Sequence, residues 1–404
     1  MREVRTAHGV VHARDRERSG AVSGPLTGIT VVELAGLGAL PFGTLKLADM
    51  GADVIRVDRA ADVPATAPDP PRPFSEWDRG RRSIGVDLKH PDGVEVVLRL
   101  AEHADALVES FRPGVAERLG VGPEPAMARN PRLVYGRLTG WGQDGPLAQS
   151  AGHSLNYESI TGAIGSVSVP HGPPVPILQL LGDFAGGGLH LAYGVVCALL
   201  EAQRSGRGQV IDAAMVDGVA SIVSVFYGMA RSGMHSDDIG TNLFDGGAPF
   251  YSVYETADGK YVSLAPIEPH FYAQLLEQLG IEAAGLPDQY DRSQWSAVKE
   301  QFAAAVRRKT RAEWEAQLAG TDVCFAPVYR FGEAHEHPHN VAREVFVPTP
   351  DGGRQVAPAP RFSRTRAEPG SSYAYPGADT DAVLGEVGYS ADEIARLRDS
   401  RAVQ

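Results

Sequence analysis

The chain reads as an α/β protein built on a parallel sheet, and three observations carry that reading. A β-branched run, a glycine-rich turn, an apolar helix and a second β-branched run follow one another between Ile29 and Val57. The same alternation of strand and helix patterns recurs between Ser83 and Arg137. The 404 residues are 43% hydrophobic and 22% charged, which suits a large packed core and excludes a disordered or fibrous chain.

Taken in order, Ile29 to Leu34 (ITVVEL) is short and β-branched, and is expected as a strand. Gly36, Gly38 and Pro41 interrupt it, and Leu45, Leu47, Ala48 and Met50 mark the helix that follows. Asp53 to Val57 (DVIRV) is the second strand and ends at Asp58-Arg59. A helical crossover of this kind joins parallel strands, so a βαβ unit is expected. Proline-rich residues 63–73 form a surface loop. Ser83 to Leu88, Ala106 to Glu109 and Arg132 to Arg137 read as further strands, with a helix over Gly93 to Glu102. Asp183 opens a long helical stretch to Leu200, with Gly186 to Gly188 in its first turn. Ser205 to Gly208 is a turn, Gln209 to Ala213 a strand, and Met215 to Met229 a buried helix. Tyr251 to Tyr254 and Tyr261 to Leu264 flank Ala257-Asp258-Gly259, the pattern of a β-hairpin. Helices over Pro269 to Leu279, Ser293 to Lys309 and Arg311 to Leu318 complete a second domain. A Pro- and Ser-rich tail closes with an amphipathic helix, Ala391 to Arg398.

The balance of 38 basic and 50 acidic residues, a net charge of −12, argues against a nucleic-acid or anionic-membrane binder. An anionic ligand held by a few local arginines stays open. Cys197 and Cys324 are the two cysteines, too far apart in pattern for a disulfide framework or a CxxC metal site, which favours a reducing compartment. No uninterrupted apolar run reaches the roughly 18–20 residues of a membrane span. Met1 to Gly24 is polar, lacks the apolar segment of a secretory signal, and is expected as a disordered tail. A cytoplasmic protein is the expectation.

Several residues invite a chemical reading. Gly36, Gly38 and Gly43 approach a dinucleotide fingerprint, but the last spacing is five instead of three, so a nicotinamide cofactor is not expected. Arg59 is either a phosphate ligand or a solvated surface arginine. His335, His337 and His339 with Glu336 suggest a metal cluster, yet Pro338 and the polar setting point to a loop without metal. His153 lies in Gly152-His153-Ser154-Leu155-Asn156-Tyr157. Asp183 lies in Gly182-Asp183-Phe184-Ala185-Gly186-Gly187-Gly188, where a helix N-cap is its default role. Glycines inside a helix cost about 1 kcal/mol each relative to alanine, so a ligand or another backbone should approach there.

Seven stretches taken together resemble one family, the class III CoA transferases (CaiB/BaiF), and within it the α-methylacyl-CoA racemases. They are PLTGITVVELAGLGALPFGTLKLADMGADVIRVDR, FRPGVAERLGVGP, GRLTGWGQDGP, AGHSLNYESITG, GDFAGGG, SGRGQVIDAAMVDG and GAPFYSVYETADGKYV, and the match runs from Pro25 to about Arg364. The resemblance implies a large Rossmann-like CoA-binding domain (25–225), a smaller α/β domain (245–335) and a C-terminal segment (350–404) returning to the first. It also implies an interlocked homodimer and an acyl-CoA thioester as substrate, with no separate cofactor. Arg59 and Arg118 match CoA-contacting arginines. His153, Asp183 and Glu268 match the racemase pattern, in which a base stands on each face of the substrate α-carbon and Glu268 orients His153. Asn156 and Tyr157 are expected to shape the site. The segment reads GHS where the resemblance expects GHD, which leaves the histidine in place. A CoA transferase using Asp183 as nucleophile is the alternative; a non-catalytic acyl-CoA-binding protein would need none of the three residues.

Overall fold

Six strands make one parallel sheet: β1 (Thr30–Leu34), β2 (Asp53–Arg59), β3 (Arg81–Val86), β4 (Ala106–Glu109), β5 (Val134–Thr139) and β6 (Val210–Ala214). Their order is β3-β2-β1-β4-β5-β6, with every neighbouring pair parallel. The winding therefore reverses between β1 and β4, which opens a crevice at the carboxyl ends of those strands. The computed structural model describes residues 23–34, 36–68, 75–167, 172–370 and 374–404. The expected tail lies outside them except for Ser23 and Gly24, which are built in: the Ser23 hydroxyl donates to the Arg366 carbonyl at 3.1 Å.

Strands covered on both faces are nearly continuous apolar runs, and these are. Val32, Leu34, Ile55, Val57, Ile84 and Val86 pack with the helices Pro91–His103, Thr380–Glu386 and Ala391–Asp399. On the other face, Val31, Val54, Ala106, Val108, Val134 and Leu138 pack with the helices Ala39–Asp49 and His190–Ser205. Part of that second face is charged. Glu33, Arg56 and Ser83 stand side by side in register across β1, β2 and β3. Arg81 meets Glu33 at 2.6 Å with both side chains 1% exposed, and the Thr44 hydroxyl donates to the same carboxylate at 2.7 Å. Arg56 pairs with Asp58 at 2.7 Å, and the Ser83 hydroxyl donates to Asp58 at 2.6 Å. Asp58 is thus committed to holding strands together. Removing one member of such a buried pair costs roughly 3–5 kcal/mol, because the other charge is left stranded.

The chain divides into two compact units: residues 23–154, Gln179–Gly218 and Phe346–Gln404 in the first, and Leu155–Leu178 with Val219–Val345 in the second. Residues 155–178 thus cluster apart from the 25–225 block in which the resemblance placed them. In the second unit β7 (Ser252–Glu255), β8 (Tyr261–Leu264) and β9 (Phe325–Val328) form an antiparallel sheet. The helices Pro269–Leu279, Trp295–Val306 and Arg311–Leu318 cover one face of it, with Phe250, Tyr254, Val262, Phe302 and Trp314 at the centre.

Two helical expectations are corrected. The buried helix expected over Met215 to Met229 is two helices, Met215–Ile222 and Ser224–Arg231, and Val225 and Tyr227 are exposed. The long helix starts at Leu180 and reaches Ser205; with 26 residues and an 18-residue stretch of mean hydropathy 1.4, it is long and apolar enough to cross a membrane by length and composition. No uninterrupted apolar run spans it, because Asp183, five glycines and His190 punctuate it. Its side carrying Leu191, Val195 and Ala198 packs against the sheet, as a core helix does.

Candidate active site

The turn after β1 sits at the mouth of the crevice. Gly36 has no room for a side chain, since a Cβ there would lie 2.2 Å from the Ser110 hydroxyl in the loop after β4. Gly38 holds φ 64 and ψ −105, a backbone that L side chains rarely adopt, and caps the helix Ala39–Asp49. A Cβ on Gly38 would lie 3.0 Å from Asp183 Oδ2. The Asp183 carboxylate therefore rests against the start of that helix, where the helix dipole favours negative charge.

Asp183 is 8% exposed and lies in the fourth position of a π-helix, Leu180–Leu189, capped by Gln179. The expected N-cap role is accordingly corrected: the helix starts one turn earlier. Phe184 N–H donates to the Gln179 carbonyl at 3.1 Å, the five-residue spacing of a π turn. The Asp183 N–H donates sideways to Ser154 Oγ at 3.1 Å. The glycines that follow admit other backbones. A Cβ on Gly188 would lie 2.6 Å from the Ala39 carbonyl, and one on Gly218 would lie 1.9 Å from the Gly186 carbonyl. The ring of Phe184 stacks on Phe42 at 4.6 Å and approaches Trp77 at 5.8 Å, which fixes the residue after Asp183.

Within the first unit the structure brings the His153–Ser154 segment onto Gly182 and Asp183. Ser154 is 3% exposed, whereas His153 is exposed and directly precedes it. Asn156 and Tyr157 follow on the helix Ser154–Ile160, the first exposed and the second buried. Arg59 is the last residue of β2, and Arg118 lies on the short helix Val115–Leu119 after β4; both are exposed. They thus sit at the carboxyl ends of the strands on either side of β1. Glu268 belongs to the second unit, where it is exposed and caps the helix Pro269–Leu279. Its segment is braced from behind: the Tyr290 hydroxyl donates to the Ile267 carbonyl at 2.7 Å, and Gln289 Nε2 donates to it at 2.8 Å. Burial, and then the charge of Glu268, pushes the Cys324 thiol up.

The structure adds a group that composition did not single out. Glu109, fully buried at the end of β4, accepts from the Phe111 N–H at 2.5 Å and from Arg137 Nε at 3.1 Å. Arg137 also reaches Glu117 at 2.8 Å, next to Arg118. Burial pushes the Glu109 carboxyl up to about 7, against the opposing pull of the Phe111 N–H and Arg137. A glutamate in the strand AlaLeuValGlu carries no sequence signal for this. The histidine cluster resolves into local capping, with His337 Nδ1 accepting from the His339 N–H at 3.2 Å. Among the described residues no group of three or more His, Cys, Asp or Glu could hold a metal ion.

Comparison with known proteins supplies the frame. A family model described as CoA-transferase family III matches residues 26–381. The chain is 43% identical over 381 residues to the alpha-methylacyl-CoA racemase of Mus musculus, covering 94% of this chain and 97% of that protein. It is 41% identical over 380 residues to the Homo sapiens protein of the same name, with the same coverage. Among solved structures, a CAIB/BAIF family protein from Brucella suis superposes with a TM-score of 0.77 at 25% identity, covering 90% of this chain and all of that one.

Proposed function

The chain belongs to CoA-transferase family III, and on that premise we propose that it is an isomerase interconverting (2R)- and (2S)-2-methylacyl-CoA thioesters. The observation that carries this reading is the meeting of the His153 and Asp183 segments at the mouth of the sheet crevice. A racemase needs a base on each face of the α-carbon, and a histidine beside a carboxylate supplies two groups of suitable proton affinity.

In one direction the neutral His153 imidazole takes the α-proton of the (2S) thioester. The C–H electron pair moves into the carbonyl, giving an enolate. Asp183, as its carboxylic acid, then protonates the opposite face, and the (2R) thioester leaves an imidazolium and a carboxylate behind. The reverse reaction starts from that pair. Oxyanion stabilisation is the largest demand of such a step. The Asp183 N–H is occupied by Ser154, so we assign the donors to the N–H groups ahead of it, aided by the N-terminus of the helix Ala39–Asp49. Arg59 and Arg118 are assigned to the CoA phosphates, and Glu268 to orienting His153. A homodimer fits the apolar stripe of Leu189, Tyr193, Val196 and Leu200, exposed on one side of a helix otherwise packed in the core.

The test incubates (2R)-2-methylacyl-CoA with the protein alone in heavy water. Deuterium at C2 together with loss of stereochemical purity is the expected result. CoA transfer appearing only with an added acceptor acid, and no exchange without it, would establish instead the transferase reading with Asp183 as nucleophile.

A further inference from the structure

Ser154 stands where the resemblance expects an aspartate, GHS for GHD, and the racemase reading assigns it nothing. Its surroundings give it a task. The side chain is buried, and its Oγ accepts the Asp183 N–H at 3.1 Å across 29 residues of chain. Helix starts turn N–H groups outward to acceptors beyond their own helix, and the Ser154 hydroxyl is the acceptor for this one. The contact is possible only because Gly182 precedes Asp183. A Cβ on Gly182 would lie 2.4 Å from Ser154 Oγ, 2.8 Å from Ser154 Cα and 2.9 Å from the Ser154 carbonyl. Two segments thus touch backbone to backbone, and each carries one proposed base: His153 is one peptide from Ser154, and Asp183 is one peptide from Gly182.

We infer that Ser154 is a positioning residue that sets the distance and angle between His153 and Asp183, holding the second base opposite the first. Two-base inversion depends on that spacing more than substrate binding does, because both bases must address one carbon from opposite sides. The hydroxyl also does this without a charge. A carboxylate in its place would stand beside Asp183 and favour the protonated form of one of the two.

The inference rests on the racemase reading, and one experiment separates the two. Wild type, Ser154→Ala and Ser154→Thr are each given (2S)-2-methylacyl-CoA in heavy water, and deuteration at C2 is measured separately in recovered (2S) substrate and in (2R) product. For Ser154→Ala, inversion should fall about tenfold or more, as for a misplaced catalytic group, with KM within about twofold. Deuterium in the recovered (2S) substrate should fall less, because His153 still removes the proton and returns one from its own face. Ser154→Thr, which keeps the hydroxyl, should restore the wild-type ratio of inversion to exchange. Gly182→Ala should shift that ratio in the same direction as Ser154→Ala. An unchanged ratio in Ser154→Ala, whether both rates stay at wild-type values or fall together, overturns the inference. A wild-type protein that neither exchanges nor inverts overturns the racemase reading, and this inference with it.

Discussion

Asp183 and Glu268 are both carboxylates proposed for one reaction, yet the protein holds them in opposite ways. Asp183 is 8% exposed and fixed through its backbone, with Ser154 on its N–H, Gly38 against its carboxylate and Phe184 stacked behind. Glu268 is exposed, and what is fixed is the loop that leads to it, through Tyr290 and Gln289. The difference fits their assigned jobs. A group that delivers a proton to carbon has to stand at one point, whereas one that only orients an imidazole can do so from an exposed side chain on a braced loop.

The contrast can be broken from its strong end first. Asp183→Asn keeps the shape and removes the proton, and should lower inversion in either direction by about 10³-fold or more, read by polarimetry or chiral chromatography. A smaller loss would show that the braced carboxylate is not one of the bases. His153→Ala should abolish deuterium exchange of the (2S) thioester to a similar or slightly smaller degree, about 10²–10³-fold, while leaving any CoA-transfer activity intact. Glu268→Gln should cost only roughly tenfold in kcat, as expected for a partner acting through another residue. A loss as deep as that of Asp183→Asn would erase the distinction between the two carboxylates.

The smallest effect on rate is expected at Glu109, where the consequence is in stability. Its folded-state value, pushed up to about 7, lies above the ordinary 4.5. The neutral form is therefore favoured by folding; its contribution is full below the ordinary value and is lost as pH rises through 7. Integrated over that window the effect is on the order of 3 kcal/mol. Chemical denaturation at pH 5 and pH 8 should show wild type less stable at the higher pH, and Glu109→Gln should flatten the slope. An equal slope in the two proteins would remove Glu109 as its source.

Much of the first unit was legible because parallel strands buried on both faces cannot hide. β1, β2 and β4 fall within two residues of the runs ITVVEL, DVIRV and the stretch Ala106 to Glu109. What escaped was chemistry inside that pattern. Arg56, Arg81, Glu33 and Asp58 look like surface charges in a one-dimensional string, and only the register reveals that Glu33 pairs with Arg81 and Asp58 with Arg56 on one face of the sheet. β9 escaped because Phe325-Ala326-Pro327-Val328 is four residues with a proline, too short and too broken to claim a strand. The candidate residues His153 and Asp183 were found by the resemblance; their connection through Ser154 was not, since nothing in a sequence says that a hydroxyl will meet an N–H 29 residues away.

The charged half of the sheet has a consequence for the order in which the protein can be made. β3 is closed by residues about three hundred positions later: the Ser83 N–H donates to Asp379 at 2.9 Å, the Gln404 N–H donates to the Gly85 carbonyl at 2.9 Å, and Val86 bridges Val403. Arg79 likewise waits for Gln355 and the Val356 carbonyl. A ribosome therefore finishes the whole second unit, residues 219–345 included, before it supplies the edge that the first sheet needs. Until then β3 is an open edge with half-satisfied charges, the kind of intermediate that recruits chaperones or pairs with a neighbouring nascent chain.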